Sequence, residues 1–193
     1  KDKVILCPCD DDDRSNFTIY FAQNFEKLGL KKLICTSYAY ESKNSNFEYE
    51  PSDYEKKSEQ FDKNKTLVNG KVYILEKNKN NLGRVDFNDI KWKYLEGNGD
   101  FRSEEVIKFR NEADFIITNP PFSLFREFMR WIIEANKNFI ILGNQNAITY
   151  KEVYPLIKEN KIWLGYRFNE RVNGKNLTYR VPSNYEMKAS ELY

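Results

Sequence analysis

The sequence predicts an open, mostly parallel α/β sheet with helices on both faces, and three observations predict it. Short apolar runs of strand length alternate with stretches whose apolar residues recur at helical spacing. The chain opens on a strand, a crossover helix and a second strand, a unit that implies parallel pairing. The polar residues that could do chemistry follow directly after apolar runs, where such sheets bind ligands.

The elements follow in order. Val4-Ile5-Leu6-Cys7 reads as a buried strand, and Ser15 caps a helix carrying Phe17, Phe21, Phe25 and Leu28 until Gly29 ends it. Lys32 to Thr36 is the second strand. The stretch from Glu41 to Asn69 is charged, aromatic and aperiodic and contains Pro51, so an insertion or mobile loop is expected there. Val72 to Leu75 predicts a strand, and the Asn-rich run from Asn78 to Gly83 a turn. Ile90 to Leu95 then predicts a strand, Ser103 to Arg110 a helix, Asp114 to Thr118 a strand, Leu124 to Ala135 a helix and Asn138 to Leu142 a strand. Tyr150 to Glu159 reads as a short helix interrupted by Pro155, and Lys161 to Gly165 as a further strand.

Composition narrows the function. At 193 residues with 40% hydrophobic and 16% aromatic content, the chain fits one domain with a sizeable core. The 31 basic and 29 acidic residues leave a net charge of +2, so any nucleic-acid surface must be a local patch. Cys7, Cys9 and Cys35 have no framework spacing, and no secretory signal or long apolar span occurs. A reduced, cytoplasmic protein without a membrane partner is expected. With no histidine and no second cysteine pair, no metal site is expected either. The termini, which start and stop without a closing element, suggest part of a longer protein.

Asn119-Pro120-Pro121-Phe122 ends the run Phe115-Ile116-Ile117-Thr118 and opens a helix. An amine conjugated to a ring is a poor nucleophile, so an enzyme that alkylates it must bind its protons and hold its ring. Asn119 offers a side-chain carbonyl, Pro120 a main-chain carbonyl without a competing N–H, and Phe122 a flat apolar face. The same tetrad also serves as a plain stop signal and turn.

Two further strand ends carry chemistry. The first strand runs into Pro8-Cys9-Asp10-Asp11-Asp12-Asp13, where carboxylates would repel a pyrophosphate and a cation fits better. The ammonium and sulfonium of S-adenosylmethionine suit Asp10 or Asp11, although acidic residues there also simply favour a helix dipole. In Gly97-Asn98-Gly99-Asp100-Phe101, Asp100 can accept from an adenine amine and Phe101 can pack on the ring, or the pair Gly99-Asp100 is an ordinary turn. Gly143-Asn144-Gln145-Asn146 can line a pocket or cap the next helix, and neither reading prevails. Arg126 and Arg130, one helical turn apart, can meet DNA phosphates or be solvated charges.

Taken together, Cys7-Pro8-Cys9-Asp10-Asp11, Ser15-Asn16-Phe17, Leu28 to Ile34, Gly97 to Ser103 and Thr118 to Phe128 resemble the EcoRI-type adenine-specific DNA methyltransferases. The likeness continues through Ile141-Leu142-Gly143-Asn144 and Lys161 to Gly165, leaving Glu41 to Asn69 aside. It implies a Rossmann-like class I methyltransferase fold with an antiparallel last strand, S-adenosylmethionine as cofactor and DNA as partner. By position, Asn119 and Pro120 would bind the target amine, with Asn119 also bordering the cofactor, and Phe122 would stack on the flipped adenine. Asp100 and Phe101 would hold the cofactor's adenine, and Cys9, Asp10 and Asp11 would lie near its methionine end. A restriction endonuclease of the same system would be a further partner. The catalytic domain would span residues 1–170, with residues 171–193 beginning a DNA-recognition segment.

The chain departs from the pattern in two places. Its first motif lacks the usual glycines, and Thr36-Ser37-Tyr38 carries no acid for the ribose hydroxyls, the next acid being Glu41. Relatives of the tetrad also methylate RNA amines or protein glutamine amides, usually with tyrosine in place of Phe122, and a DNA-binding module without activity is the alternative of another class.

Overall fold

In the computed structural model, which describes residues 1–10, 15–39, 53–77 and 91–165, the strands build one mixed sheet. They are β1 (Val4–Pro8), β2 (Lys32–Ser37), β3 (Lys71–Glu76), β4 (Lys91–Tyr94), β5 (Phe115–Thr118) and β6 (Asn138–Ile141), in the order β4-β3-β2-β1-β5-β6. β1 pairs in parallel with β2 and β5, and β5 with β6. β3 runs antiparallel to both β2 and β4.

Helices cover both faces. Ser15 caps α1 (Asn16–Gln23) by accepting from the Phe17 and Thr18 N–H groups, and the left-handed Gly29 closes α2 (Phe25–Leu28) before β2. On that face Phe21, Ala22 and Phe25 pack with Ile5, Cys7, Leu33 and Cys35. On the other, α5 (Glu104–Glu112) and α6 (Phe125–Glu134) place Val106, Phe128, Trp131 and Ile132 against Val4, Leu6, Ile34 and Ile116. Successive residues of β1 thus enter opposite cores, as the two-residue period of a strand requires. That explains why β1 is apolar without alternation.

The stretch expected to be an insertion is structured from residue 53 onward. It forms α3 (Asp53–Lys56) and α4 (Lys63–Val68), the latter capped by Asp62. Glu55 of α3 makes a buried ion pair with Lys71, and Thr66 of α4 bonds the Tyr94 hydroxyl at 2.7 Å. Elements of four and six residues are too short to show a helical period, so these two helices leave no periodic signal in the sequence. The expected loop over residues 41–52 and the expected turn over residues 78–83 lie outside the described residues.

The antiparallel course of β3 follows from where its connection ends. Residues before β3 return to the finish of β2, and Lys71 pairs with Ser37, so the chain starts back from the same edge. The further strand expected at Lys161 to Gly165 does not form. After α7 (Tyr154–Lys158), the Lys161 and Ile162 N–H groups both turn to the Leu156 carbonyl, at 2.8 and 3.4 Å, around a left-handed Asn160. Those bonds close a helix rather than extend a sheet. The chain divides into a unit of Lys1–Pro155 and a unit of Leu156–Tyr193. The boundary expected at residue 170, and the segment 171–193, lie outside the described residues.

Candidate active site

The directions of the strands bring five strand ends to one edge of the sheet. β1, β2, β5 and β6 run the same way, and β4 joins them because two antiparallel pairings separate it from β2. The segments that begin at Cys9, Tyr38, Leu95, Asn119 and Leu142 therefore leave from a shared rim.

At the end of β5, Pro120 cannot donate to a ladder, and the chain turns out into the 3-10 turn Phe122–Leu124 that starts α6. Phe122 is 66% exposed, and Asn119 beside it is exposed as well. Among the described residues, neither the Asn119 amide nor the Pro120 carbonyl has a hydrogen-bond partner. The tetrad thus carries two acceptors without a hydrogen-bond partner among the described residues, on exposed Asn119 and buried Pro120, and an open ring.

Asp10 sits differently from its sequence reading, which gave it to a ligand. It is only 6% exposed. One carboxylate oxygen accepts from the Ser15 hydroxyl at 2.7 Å and the other from the Thr118 hydroxyl, while its N–H donates to the Thr36 carbonyl at 2.9 Å. Both oxygens are engaged inside the fold, so Asp10 bridges β1, α1 and β5. Cys9, directly before it, is half-buried and adopts a φ of +68°, the left-handed backbone that glycine enters at no cost. The missing glycine of this turn is thus replaced in conformation by a cysteine. Asp11 and Glu41 lie outside the described residues.

The turn after β4 is pinned to the end of β2. Asn98 accepts the Ala39 N–H at 2.8 Å, Gly97 accepts the Gly70 N–H at 2.9 Å, and Gly99 has a φ of +82°. A Cβ on Gly99 would lie 2.3 Å from the Ser37 carbonyl oxygen, so only glycine fits. This places Asp100 at the rim, where Arg102 grips it: Nε reaches Oδ1 at 2.9 Å and Nη2 reaches Oδ2 at 2.6 Å. Those hydrogen bonds hold the Asp100 carboxyl below the usual carboxylate range against the opposing effect of burial. Arg102 also reaches Glu127 of α6 at 2.7 Å.

Phe101 does not offer its ring to a ligand. It is fully buried, with ring centroids 5.0 Å from Phe128 and 5.6 Å from Trp131. It is the core residue on which the loop rests, and any contact with a ligand there falls to its main chain. Sequence reasoning passed over Tyr38, which follows β2 and accepts the Phe101 N–H at 3.4 Å. Burial first, then the neighbouring Cys9, pushes its phenol above the usual range. Its place at a strand end was the available signal.

Arg126 and Arg130 are about half exposed on α6, and Glu152 lies between them. Arg130 Nη2 reaches Glu152 Oε1 at 3.0 Å, and the Arg126 guanidinium stacks 4.4 Å from the Tyr150 ring centroid. Burial opposes ionisation of Glu152, but hydrogen bonds and the two arginines hold its carboxyl below the usual range. Glu152 is thus set against both guanidiniums, and Glu127 of the same helix is held by Arg102. At the end of β6, Asn144 caps the 3-10 helix Gln145–Thr149 by accepting from the Asn146 N–H at 2.9 Å, the capping role of its two readings.

Comparison with known proteins bears on this geometry. The family described as adenine-specific methyltransferase EcoRI matches residues 1–193. The Type II methyltransferase M.EcoRI of Escherichia coli is 43% identical over 190 residues, which cover 98% of this chain and 52% of that protein. M.MgeORF184P of Mycoplasma genitalium is 34% identical over 185 residues, covering 96% of this chain and 45% of its own length. M.MpnI of Mycoplasma pneumoniae is 32% identical over 187 residues, covering 97% and 46%. The chain spans about half the length of these curated relatives. No solved structure gives a significant match.

Proposed function

Because the chain belongs to the EcoRI family of adenine-specific methyltransferases, we propose that it transfers a methyl group from S-adenosylmethionine to the exocyclic amine of an adenine in DNA. The observation that carries this reading is the pair of unused acceptors on Asn119 and Pro120 next to the exposed ring of Phe122.

The residues present fit the cofactor. With three donors from Arg102 on its carboxylate, Asp100 still has acceptor capacity on Oδ2 for the adenine amine of S-adenosylmethionine. The main chain at Cys9 and Phe101 would border the bound molecule together with Asn119, and Asp11 is the acid left for its ammonium group. Bound S-adenosylmethionine supplies an electrophilic methyl group on a sulfonium.

The chain's own residues act on the acceptor base. Extruding an adenine from the duplex costs a few kcal/mol. Stacking on Phe122 returns about 1 to 3 kcal/mol of that. Hydrogen bonds from the amine to Asn119 and Pro120 draw its nitrogen toward tetrahedral geometry and orient its lone pair, so positioning and electrostatics carry the acceleration. Arg126 and Arg130 would meet phosphates flanking the extruded base, with Glu152 aiming them.

DNA as substrate sets the remaining partners and the location. A restriction endonuclease reading the same site would be the functional counterpart, and the cytoplasm is the compartment where both meet DNA. No helix among the described residues is long and apolar enough to cross a membrane.

The test is direct. Treated DNA, digested and analysed by mass spectrometry, is expected to contain N6-methyladenine. Asn119→Ala is expected to abolish the product while S-adenosylmethionine still binds by calorimetry. Methylation of RNA or protein alone would overturn the substrate, and equal loss of cofactor binding would overturn the role of Asn119.

A further inference from the structure

Resting on the methyl transfer proposed above, we infer that Thr118 is a positioning residue: its buried hydroxyl, hydrogen-bonded to Asp10 and to the Pro8 carbonyl, fixes the neighbouring Asn119 against the turn that follows β1.

Thr118 is the last residue of β5 and is fully buried. On one side the sheet holds it, through its register with Ile141 of β6 and the Leu142 N–H donated to its carbonyl at 3.2 Å. On the other side the β1–β5 ladder pairs Ile5 with Phe115 and Leu6 with Ile116, and Pro8 farther along has no N–H to give. The Thr118 side chain replaces the missing ladder. A single hydroxyl hydrogen serves two acceptors, and the carboxylate is the stronger of them.

The connection continues beyond Asp10. The other Asp10 oxygen takes the Ser15 hydroxyl hydrogen at 2.7 Å, and the Ser15 oxygen in turn accepts the Phe17 and Thr18 N–H groups at the start of α1, at 3.2 and 3.5 Å. The helix, the cofactor turn and the acceptor loop thus form one hydrogen-bonded series that ends one residue before Asn119.

The consequence is geometric. Removing the Thr118 hydroxyl frees the end of β5 to shift against the turn, which displaces Asn119 relative to the methyl donor but leaves the cofactor's other contacts in place. Loss of alignment of that kind lowers turnover more than binding.

The test uses Thr118→Val, which keeps the shape and removes the hydroxyl, and Thr118→Ser, which keeps the hydroxyl. In the intact protein, Thr118→Val is expected to lower kcat for adenine methylation by about tenfold to a hundredfold with the S-adenosylmethionine Kd within about threefold, and Thr118→Ser to recover most of the loss. Should Thr118→Val fail to fold, Thr118→Ala replaces it, since it also removes the hydroxyl and adds no group to the buried site, and the same split is expected. An active wild type beside a variant of unchanged kcat overturns this inference alone, as does a Kd that weakens in step with kcat. A wild type without adenine methylation overturns the reading beneath it and this inference together.

Discussion

Arg102 meets Asp100 along both edges of the carboxylate, with Nε at 2.9 Å from Oδ1 and Nη2 at 2.6 Å from Oδ2. The same guanidinium reaches Glu127 on α6 at 2.7 Å, so the loop proposed to hold the cofactor is tied to the helix that follows the tetrad. Lysine cannot reproduce this, because a single ammonium has no planar fork with which to grip a carboxylate. Arg102→Lys is expected to weaken S-adenosylmethionine binding by about tenfold, or about 1.4 kcal/mol, by calorimetry. Unchanged affinity would show that Asp100 needs no clamp.

The same pair makes a prediction about pH. The Asp100 carboxyl is held below its usual range, chiefly by the Arg102 hydrogen bonds. Its folded pKa is therefore below the unfolded value of about 3.9, so ionised Asp100 stabilises the fold above that value, and the contribution is lost as pH falls through the folded value. Asp114, held down first by Lys3, and Glu152 titrate in the same direction, so the wild-type profile alone does not isolate Asp100. The stability gap between wild type and Asp100→Asn is expected to be widest above about pH 5 and to narrow toward about pH 3 in denaturant titrations.

Gly99 supports that loop at a position closed to side chains. A Cβ there would sit 2.3 Å from the Ser37 carbonyl oxygen, and the φ of +82° already disfavours any other residue. Gly99→Ala is expected to cost about 2 kcal/mol or more, lowering the melting temperature by about 4 to 8 °C. A melting temperature equal to that of the wild type would show that the loop relaxes freely.

How much of this was legible in the sequence depends on the range of the signal. Ser15 and Gly29 mark α1 and α2 locally, and the apolar runs of β1, β2 and β5 are visible for the same reason. The direction of β3 was not, since a run of apolar residues has no polarity, and only the return of the chain to Ser37 sets it. In the site, Asn119 and Phe122 could be read because their exposure follows from two prolines that eject the chain from the sheet. Asp10 could not. A carboxylate after a strand looks the same whether it faces a ligand or Thr118, which is 108 positions away in sequence. Phe101 fails for a related reason: an aromatic in a polar loop suggests a ligand, and only the packing of α6 shows that it belongs to the core.

Phe122 separates function from stability most cleanly. Its ring is 66% exposed, so truncation removes little buried area. Phe122→Ala is expected to change stability by no more than about 0.5 kcal/mol. The same change is expected to weaken capture of the extruded base by about 1 to 3 kcal/mol, measured with a fluorescent adenine analogue at the target position. Phe122→Tyr, which keeps the ring, is expected to retain capture. A loss of melting temperature equal to the loss of capture would assign the ring to packing instead.

The left-handed Cys9 offers the last test, because its backbone is strained independently of any ligand. A φ of +68° costs a residue with a Cβ about 1 to 2 kcal/mol relative to glycine. Glycine, however, gains freedom in the unfolded chain and returns about 0.5 to 1 kcal/mol of that difference. Cys9→Gly is therefore expected to be at least as stable as the wild type, by up to about 1.5 kcal/mol. Cys9→Val, branched at Cβ, is expected to be less stable than either, because branching tightens the same steric conflict. Thermal melts of the three proteins decide it. If Cys9→Gly were the least stable of the set, the thiol's contacts in the half-buried turn would outweigh backbone strain, and the cysteine would be held there by packing.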